Sequence, residues 1–170
     1  QVGELLTALD ASEAPIVFTM PNADTNGRVV ARMLQGFAKV CPKAQMVDNL
    51  GTQGYFSLMA LAAAMVGNSS SGIIEAPSFG LPVVNIGSRQ QGRTRGENVI
   101  DVGYGREEIV KGIKNAVAPQ FREKLRGLHN PYGDGRASDL IVKHLKEVSL
   151  DHRLISKRFV DTSDVPATVD

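Results

Sequence analysis

The segment from Val66 to Arg95 limits the possible folds of this chain more than any other stretch. It begins with an apolar run that ends in the small polar residues Asn68 to Ser71. A helix-length segment that closes on glycine and proline follows, and a second apolar run then starts at Val83 and leads into an arginine-containing loop. This order predicts strand, helix, strand and loop, as in a βαβ unit.

The same alternation extends over most of the chain. Further strands are predicted at residues 15–20, 44–50 and 98–102, and further helices at residues 1–9, 29–37, 106–117, 119–128 and 137–148. Residues 23–27 and 51–54 are predicted loops, and the nearly apolar helix 55–65 should be packed on several sides. The predicted fold class is α/β with a doubly wound parallel sheet in residues 1–148, followed by a tail or docking helix in residues 149–170.

Composition excludes several kinds of partner. The net charge is +1 and no Lys/Arg run is long, so we expect no nucleic acid and no membrane surface. The uncharged stretch Tyr55–Ser71 contains glycine, asparagine and serine, which makes it a poor membrane span. Cys41 is the single cysteine, so an internal disulfide and a thiolate-rich zinc site are excluded, and we predict no metal and no cofactor. No signal peptide is visible, and the predicted location is the cytoplasm.

The turn from Asn68 to Ser71 is the predicted ligand site. Serines at a helix start offer hydroxyls and free backbone N–H groups to an anion, and phosphate is the expected one. The carboxylate of Glu75, one turn further on, would repel a phosphate at its own contact point but can accept hydrogen bonds from two ribose hydroxyls. A nucleotide or nucleotide sugar fits both features. Helix capping by the serines, without any ligand, is the alternative interpretation.

Other candidate ligand residues share the position of this turn relative to the strands. Asn22, Leu50, Asn68 to Ser71, and the loop from Ser88 to Arg95 each follow a predicted strand. Ligands of doubly wound sheets bind at the carboxyl ends of the strands. We therefore expect one rim of the domain to carry the whole site.

Three ordered motifs resemble one known family. They are the segments from Phe18 to Asp24, from Gly67 to Glu97 and from Asn130 to Gly135, the second with Asn-Ser-Ser-Ser-Gly-Ile-Ile-Glu-Ala-Pro and Gly-Ser-Arg-Gln-Gln-Gly-Arg-Thr-Arg-Gly-Glu-Asn. Together they closely resemble the UDP-N-acetylglucosamine 2-epimerases, specifically their hydrolysing branch, from about Pro15 to Leu145. The resemblance implies a GT-B architecture of two Rossmann-like domains facing a cleft, of which this chain resembles the C-terminal one.

The resemblance also implies roles for residues of the rim. Ser69 and Ser70 would contact the diphosphate and Glu75 the ribose hydroxyls, the roles that the helix start also suggests. Leu50, through its backbone, and Tyr55 would line the uracil site. The UDP half of a substrate site is thus implied within this chain.

Different roles are expected for the arginine-containing loop after residue 87 and for the last motif, residues 130–135. Asn22 and Arg89 would lie near the phosphates and the hexose, with Arg93 and Arg95 as supporting charge, whereas a solvated basic rim is the alternative. The segment from Asn130 to Gly135 is predicted to be a structural corner. The predicted UDP- and substrate-binding residues are Asn22, Leu50, Tyr55, Asn68, Ser69, Ser70, Glu75 and Arg89.

The chemistry implied by the resemblance needs residues from outside this chain. UDP is eliminated from UDP-N-acetylglucosamine with loss of the C2 proton, and hydration of the 2-acetamidoglucal with inversion at C2 then releases N-acetylmannosamine and UDP. The family's catalytic acids belong to its N-terminal domain, and its histidine lies on a strand expected before Gln1. None of His129, His144 and His152 fills that place. We predict no catalytic residue here and an inactive isolated chain.

The predicted partners are a UDP-sugar substrate, the protein's own N-terminal domain and further copies in a homo-oligomer. The implied pathway is sialic-acid-type sugar or capsule biosynthesis. The alternatives are a hydrolysing epimerase of UDP-N,N′-diacetylbacillosamine, a non-hydrolysing epimerase, a GT-B glycosyltransferase, a non-catalytic UDP-binding or oligomerisation module, and a purely structural role. The segments Ile73-Ile74 and Gly87-Ser88-Arg89-Gln90 favour the hydrolysing type over the non-hydrolysing one.

Overall fold

Helices and strands alternate along the computed structural model, which describes residues 1–22 and 26–156. The elements are α1 (Val2–Asp10), β1 (Ile16–Thr19), α2 (Gly27–Val40), β2 (Ala44–Val47), α3 (Gly51–Leu61), β3 (Met65–Gly67), α4 (Ser71–Ile74), a 3₁₀ helix (Ala76–Phe79), β4 (Val83–Ile86), β5 (Val99–Val102), α5 (Arg106–Val117), α6 (Pro119–Lys124), α7 (Ala137–Glu147) and α8 (His152–Ile155). Residues 23–25 of the predicted loop 23–27, and residues 157–170 of the predicted tail, lie outside the described residues.

The chain divides into two units. The first is Gln1–Tyr132 and contains all the strands named above, while the second starts at Gly133 and contains α7 and α8. The predicted division after residue 148 stays a prediction. No helix in the described part of the chain combines the length and apolar character needed to cross a bilayer.

The five strands form two parallel sheets. β1 pairs with β2, and β4 lies between β3 and β5. The predicted parallel pairing is confirmed, but the sheet is not continuous, because within residues 1–22 and 26–156 no strand lies between β1 and β3.

The hydrogen bonds of β1 and β3 define which backbone groups line this gap. The Ile16 N–H donates to the Lys43 carbonyl at 2.8 Å, and the Met65 N–H donates to the Pro82 carbonyl at 2.8 Å. Successive backbone groups of a parallel strand point to opposite sides. The groups directed away from the existing partner strands are therefore those of Val17, Thr19 and Val66.

Helices α1 and α5 join the two sheets into one unit. Leu9 of α1 packs in the same buried cluster as Phe18 of β1, whereas Ile109 of α5, which is fully buried, packs with Ile86 of β4. Leu5 of α1 contacts both clusters. The shared helices hold the two sheets in a single unit even though their strands do not pair.

Two expectations about α3 are wrong. Residues 51–54 form the first turn of this helix and not a loop, because the Asn49 carboxamide oxygen accepts the Gly51 N–H at 2.7 Å and the helix continues from there. The helix is also not packed on several sides. Met59 is its one buried residue among those described, and Leu61 is 85% exposed, since few neighbouring elements cover it.

Candidate functional site

The predicted serine turn follows β3 directly. Asn68 and Ser69 are exposed, and Ser70 stands before α4 without making a side-chain cap to it. No hydrogen bond within the described ranges uses the backbone N–H of Ser69 or Ser70. The Ser69 hydroxyl oxygen accepts the Ser71 N–H at 3.3 Å, so both hydroxyls can still donate, and both N–H groups are available to an anion.

The helix behind this turn is shorter than predicted. α4 spans only Ser71–Ile74, and the chain continues as the 3₁₀ helix Ala76–Phe79, which has Pro77 in its first turn. Proline lacks an N–H and disturbs the α-helical hydrogen-bond ladder, which explains the change. The helix dipole therefore contributes less at the turn than expected, and the local N–H and hydroxyl groups carry the interaction.

Glu75 lies at the junction of α4 and the 3₁₀ helix. Its backbone N–H donates to the Ser71 carbonyl at 3.0 Å, so its Cα is one turn from the serines. Its Oε2 atom is buried and has no hydrogen-bond partner among the described residues. A buried polar atom without a partner is costly in a folded protein, and a ligand hydroxyl would remove that cost.

Tyr55 of α3 is linked to the start of α4. Its hydroxyl donates to Ser71 Oγ at 2.8 Å, and the ring packs in the cluster around Met59. Ser71 Oγ lies 4.0 Å from the Met59 sulfur. The sequence placed Ser71 in the predicted serine turn and Tyr55 at the predicted uracil site, but gave no sign of the hydrogen bond between them. Leu50, the residue before α3, is half-buried.

The loop after β4 lies against the serine turn. The Asn68 carbonyl accepts a hydrogen bond from Arg89 Nη1 at 3.1 Å and one from Gln90 Nε2 at 2.8 Å. Arg89 is exposed, whereas Gln90 is only 2% exposed. Arg89 is thus adjacent to the predicted phosphate site, and Gln90 is a contact that sequence analysis missed.

Arg95 has a different role from the predicted supporting charge. Its guanidinium forms an ion pair with the Asp101 carboxylate, and its Nη2 donates to the Gln90 carbonyl at 2.9 Å. The other Asp101 oxygen accepts from Asn85 Nδ2 at 2.7 Å. Because Asp101 neutralises Arg95, this arginine anchors the loop. Arg93 is exposed.

Gly87 and Tyr104 form the base of the same loop. Gly87 has a φ of +75°, and a Cβ on it would overlap the Tyr104 ring. The Ser88 N–H donates to the Tyr104 hydroxyl at 3.4 Å. Hydrogen bonding with Ser88 lowers the pKa of the Tyr104 phenol from its ordinary value. A glycine is therefore needed where the chain leaves β4.

We expect the Gly87→Ala substitution to destabilise the protein by about 1–3 kcal/mol more than Gly92→Ala. Gly92 also has a positive φ, +81°, but a Cβ there would meet no atom within 4 Å. Both variants carry the cost of an alanine in the left-handed backbone conformation, but only the Gly87→Ala side chain overlaps the Tyr104 ring. Chemical denaturation of the two variants measures the difference. Equal losses would show that Tyr104 moves aside without cost.

Asn130 and Asn22 lie at the margins of the site. Asn130 Nδ2 donates to the Ile74 carbonyl at 2.8 Å and to Ser78 Oγ at 2.7 Å, which agrees with the predicted structural corner. Asn22 is exposed after β1. In the part of the chain that the structure describes, neither Asn22 nor Leu50 hydrogen-bonds to the serine turn. Their predicted ligand roles stay predictions.

The histidines and the acidic side chains are candidates for catalytic or metal-binding groups within the described residues. His129, His144 and His152 are all exposed. The described residues contain no group of three or more His, Cys, Asp or Glu side chains that could hold a metal ion. Two clefts of about 600 and 690 Å³ lie elsewhere: the first is lined by Ala11 and residues of α5, and the second by residues around α6 and the 3₁₀ helix. Neither cleft includes a residue of the serine turn.

Fold and site together define the class of domain. It is an α/β, Rossmann-like domain with an open, hydroxyl-rich turn at the carboxyl end of a parallel strand. The sequence profile of the family described as UDP-N-acetylglucosamine 2-epimerase matches residues 1–146. The chain belongs to this family, and relatives named as hydrolysing enzymes confirm the predicted branch.

Curated relatives match nearly the whole chain. A "GDP/UDP-N,N′-diacetylbacillosamine 2-epimerase (hydrolyzing)" of Campylobacter jejuni is 41% identical over 95% of this chain and 42% of the relative. A "UDP-N,N′-diacetylbacillosamine 2-epimerase (hydrolyzing)" of Legionella pneumophila is 35% identical over 92% and 40%. The "Polysialic acid biosynthesis protein P7" of Escherichia coli is 31% identical over 100% and 44%. The chain thus spans about two-fifths of their length.

Solved structures agree with the predicted fold. The "S. aureus MnaA-UDP co-structure" superposes with a TM-score of 0.66 at 21% identity, over 85% of this chain and 40% of that chain. A UDP-GlcNAc 2-epimerase of Methanocaldococcus jannaschii in complex with UDP-GlcNAc and UDP gives 0.65 at 17% identity, over 85% and 39%. The predicted Rossmann-like fold of GT-B type is therefore confirmed.

Proposed function

We propose that this chain is the UDP-binding half of a hydrolysing UDP-sugar 2-epimerase. The observation that carries the proposal is the buried, unpaired Glu75 Oε2 one turn from the free N–H groups of Ser69 and Ser70. A carboxylate suits a ribose diol, and N–H groups suit a diphosphate. One nucleoside diphosphate can satisfy both.

The proposed role in catalysis is to bind and stabilise the leaving group. Elimination of UDP places charge on the diphosphate, and N–H groups of Ser69 and Ser70 together with the Arg89 guanidinium can stabilise that charge. The base for the C2 proton and the group that directs water come, in this proposal, from the N-terminal domain. The exposure of all three histidines supports that division of labour.

The sugar remains a choice between two N-acetylated hexoses. UDP-N-acetylglucosamine, which would give N-acetylmannosamine, is the substrate that the sequence motifs imply. UDP-N,N′-diacetylbacillosamine is favoured by the names of the relatives at 41% and 35% identity. Both share the UDP contacts, so the residues described above serve either reaction.

We also propose that the segment before Gln1 supplies a strand between β1 and β3. The order β2-β1-gap-β3-β4-β5 becomes the doubly wound order 3-2-1-4-5-6 when the missing strand is the first. α1 would then be the crossover helix from that strand to β1, as a parallel βαβ unit requires. The N-terminal domain would thereby be a partner of the same polypeptide.

Two further expectations belong to this proposal. A homo-oligomer and a cytoplasmic location are proposed for the whole protein, and the reduced, buried Cys41 needs no oxidising compartment. A pathway of sialic-acid-type sugars is suggested by the 31% identity with the polysialic acid protein.

An isothermal titration of UDP into the whole protein, with ADP as the control, tests the proposed function. We expect selective binding of UDP. Incubation with each of the two UDP-sugars should then release UDP and the free 2-epimer, and the sugar that turns over identifies the substrate. Equal binding of ADP and UDP, or no binding at millimolar UDP, would contradict the nucleotide assignment.

A further inference from the structure

The Asn68 carbonyl is held by two side chains of the loop after β4. Gln90 Nε2 donates to it at 2.8 Å from a position that is 2% exposed, and Arg89 Nη1 donates at 3.1 Å from an exposed one. The carbonyl of Asn68 belongs to the same planar peptide as the N–H of Ser69. In a trans peptide these two groups point in opposite directions, so holding the carbonyl sets the direction of the N–H.

Gln90 is itself fixed to the core of the sheet. Its carbonyl accepts from Arg95 Nη2 at 2.9 Å, and Arg95 is paired with Asp101. Asp101 Oδ1 in turn accepts from Asn85 Nδ2 at 2.7 Å, and Asn85 lies in β4 with 1% exposure. A continuous series of polar contacts therefore runs from the buried sheet to the peptide that precedes Ser69.

We propose that Gln90 is a positioning residue that directs the Ser69 N–H towards the diphosphate. The inference rests on the proposed function, because it takes the serine turn as the diphosphate site. Arg89 is the exposed donor that can also contact the ligand, whereas buried Gln90 acts through the peptide. Gln90 thus sets the geometry of the turn.

The chemistry of the side chain explains why glutamine suits this position. Only its amide nitrogen is used, since Gln90 Oε1 is buried without a partner among the described residues. A glutamate would place a carboxylate against the Asn68 carbonyl. A methionine would keep the length and remove both the donor and the unpaired oxygen, so the loss of one hydrogen bond is largely offset in stability.

The test compares UDP with uridine, which lacks the diphosphate, as ligands of the whole protein. We expect Gln90→Met to weaken UDP binding about tenfold and to leave uridine binding unchanged, with little change in Tm. Gln90→Glu should weaken UDP binding further, because its charge repels both the carbonyl and the diphosphate. The matched control is Gln91→Met, since Gln91 is the exposed neighbour and should retain wild-type affinity for both ligands.

Each remaining outcome overturns the proposal. Equal losses for UDP and uridine together with a lower Tm would mean that Gln90 supports the loop in general. Unchanged UDP affinity in Gln90→Met would mean that Asn68 needs no such contact. If the wild-type protein bound no UDP, the proposed function would be refuted, and this inference with it. The wild-type titration therefore separates failure of the proposed function from failure of the Gln90 inference alone.

Discussion

Replacing Glu75 by alanine is expected to weaken UDP binding at least about 10-fold. The carboxylate would accept hydrogen bonds from the ribose hydroxyls, and hydrogen bonds to a charged group contribute about 1.5–3 kcal/mol each. Glu75 Oε2 is already buried without a partner among the described residues, so removal of the carboxylate should not lower Tm. Loss of affinity without loss of stability is the signature of a residue retained for a ligand.

The choice of nucleotide makes this prediction specific. Wild-type protein should bind UDP more tightly than 2′,3′-dideoxy-UDP, and Glu75→Ala should bind the two equally, as measured by isothermal titration. Glu97→Ala is the matched control, since Glu97 is exposed and forms a surface ion pair with Lys124 at 3.3 Å. If the variant kept the preference for the ribose diol, Glu75 would not be the ribose ligand.

In the whole protein, three backbone N–H groups that have no partner strand in this structure should be protected from amide hydrogen exchange. We expect the amides of Val17, Thr19 and Val66 to exchange at least about 100-fold more slowly than free amides. The physical reason is the proposed strand between β1 and β3, which would accept hydrogen bonds on both sides. Edge strands of a sheet leave such groups free to exchange.

Neighbouring amides serve as internal controls for this measurement. Phe18 and Gly67 alternate with the three test positions and therefore direct their N–H groups into the existing sheets. They should be protected whether or not the additional strand is present. Rapid exchange at Val17 and Val66 with slow exchange at Phe18 and Gly67 would show that the gap stays open, and the proposed sheet order would then be wrong.

Local sequence patterns predicted the individual elements well where burial follows the repeat of the helix or strand. α5 was predicted at residues 106–117 and extends over Arg106–Val117, with Ile109, Gly112 and Ala116 on its buried face. β4 is buried at all four positions, as its mostly apolar sequence indicates, although one of the four residues is Asn85. The patterns failed at α3, where glycines suggested a loop and the Asn49 side chain instead supports the first helical turn.

Part of the candidate site could also be predicted. Hydroxyl, carboxylate and guanidinium groups after strands have a direct chemical meaning for a nucleotide, and they led to the prediction of Asn68, Ser69, Ser70, Glu75 and Arg89 as ligand residues. Gln90 was not predicted, because a glutamine in a polar loop carries no such signal. Its contact with Asn68 joins residues 22 positions apart and exists only once the loop is folded.

Sequence alone determined the α/β class and the parallel strands and predicted the kind of ligand, since these follow from periodicity and from the chemistry of side chains near each other in the chain. Tertiary structure decided the rest. The break between β1 and β3, the burial of Glu75 Oε2 and the series of contacts from Asn85 to Gln90 depend on which distant groups become neighbours. Such contacts leave no repeating pattern in the sequence, because they are set by how the elements pack.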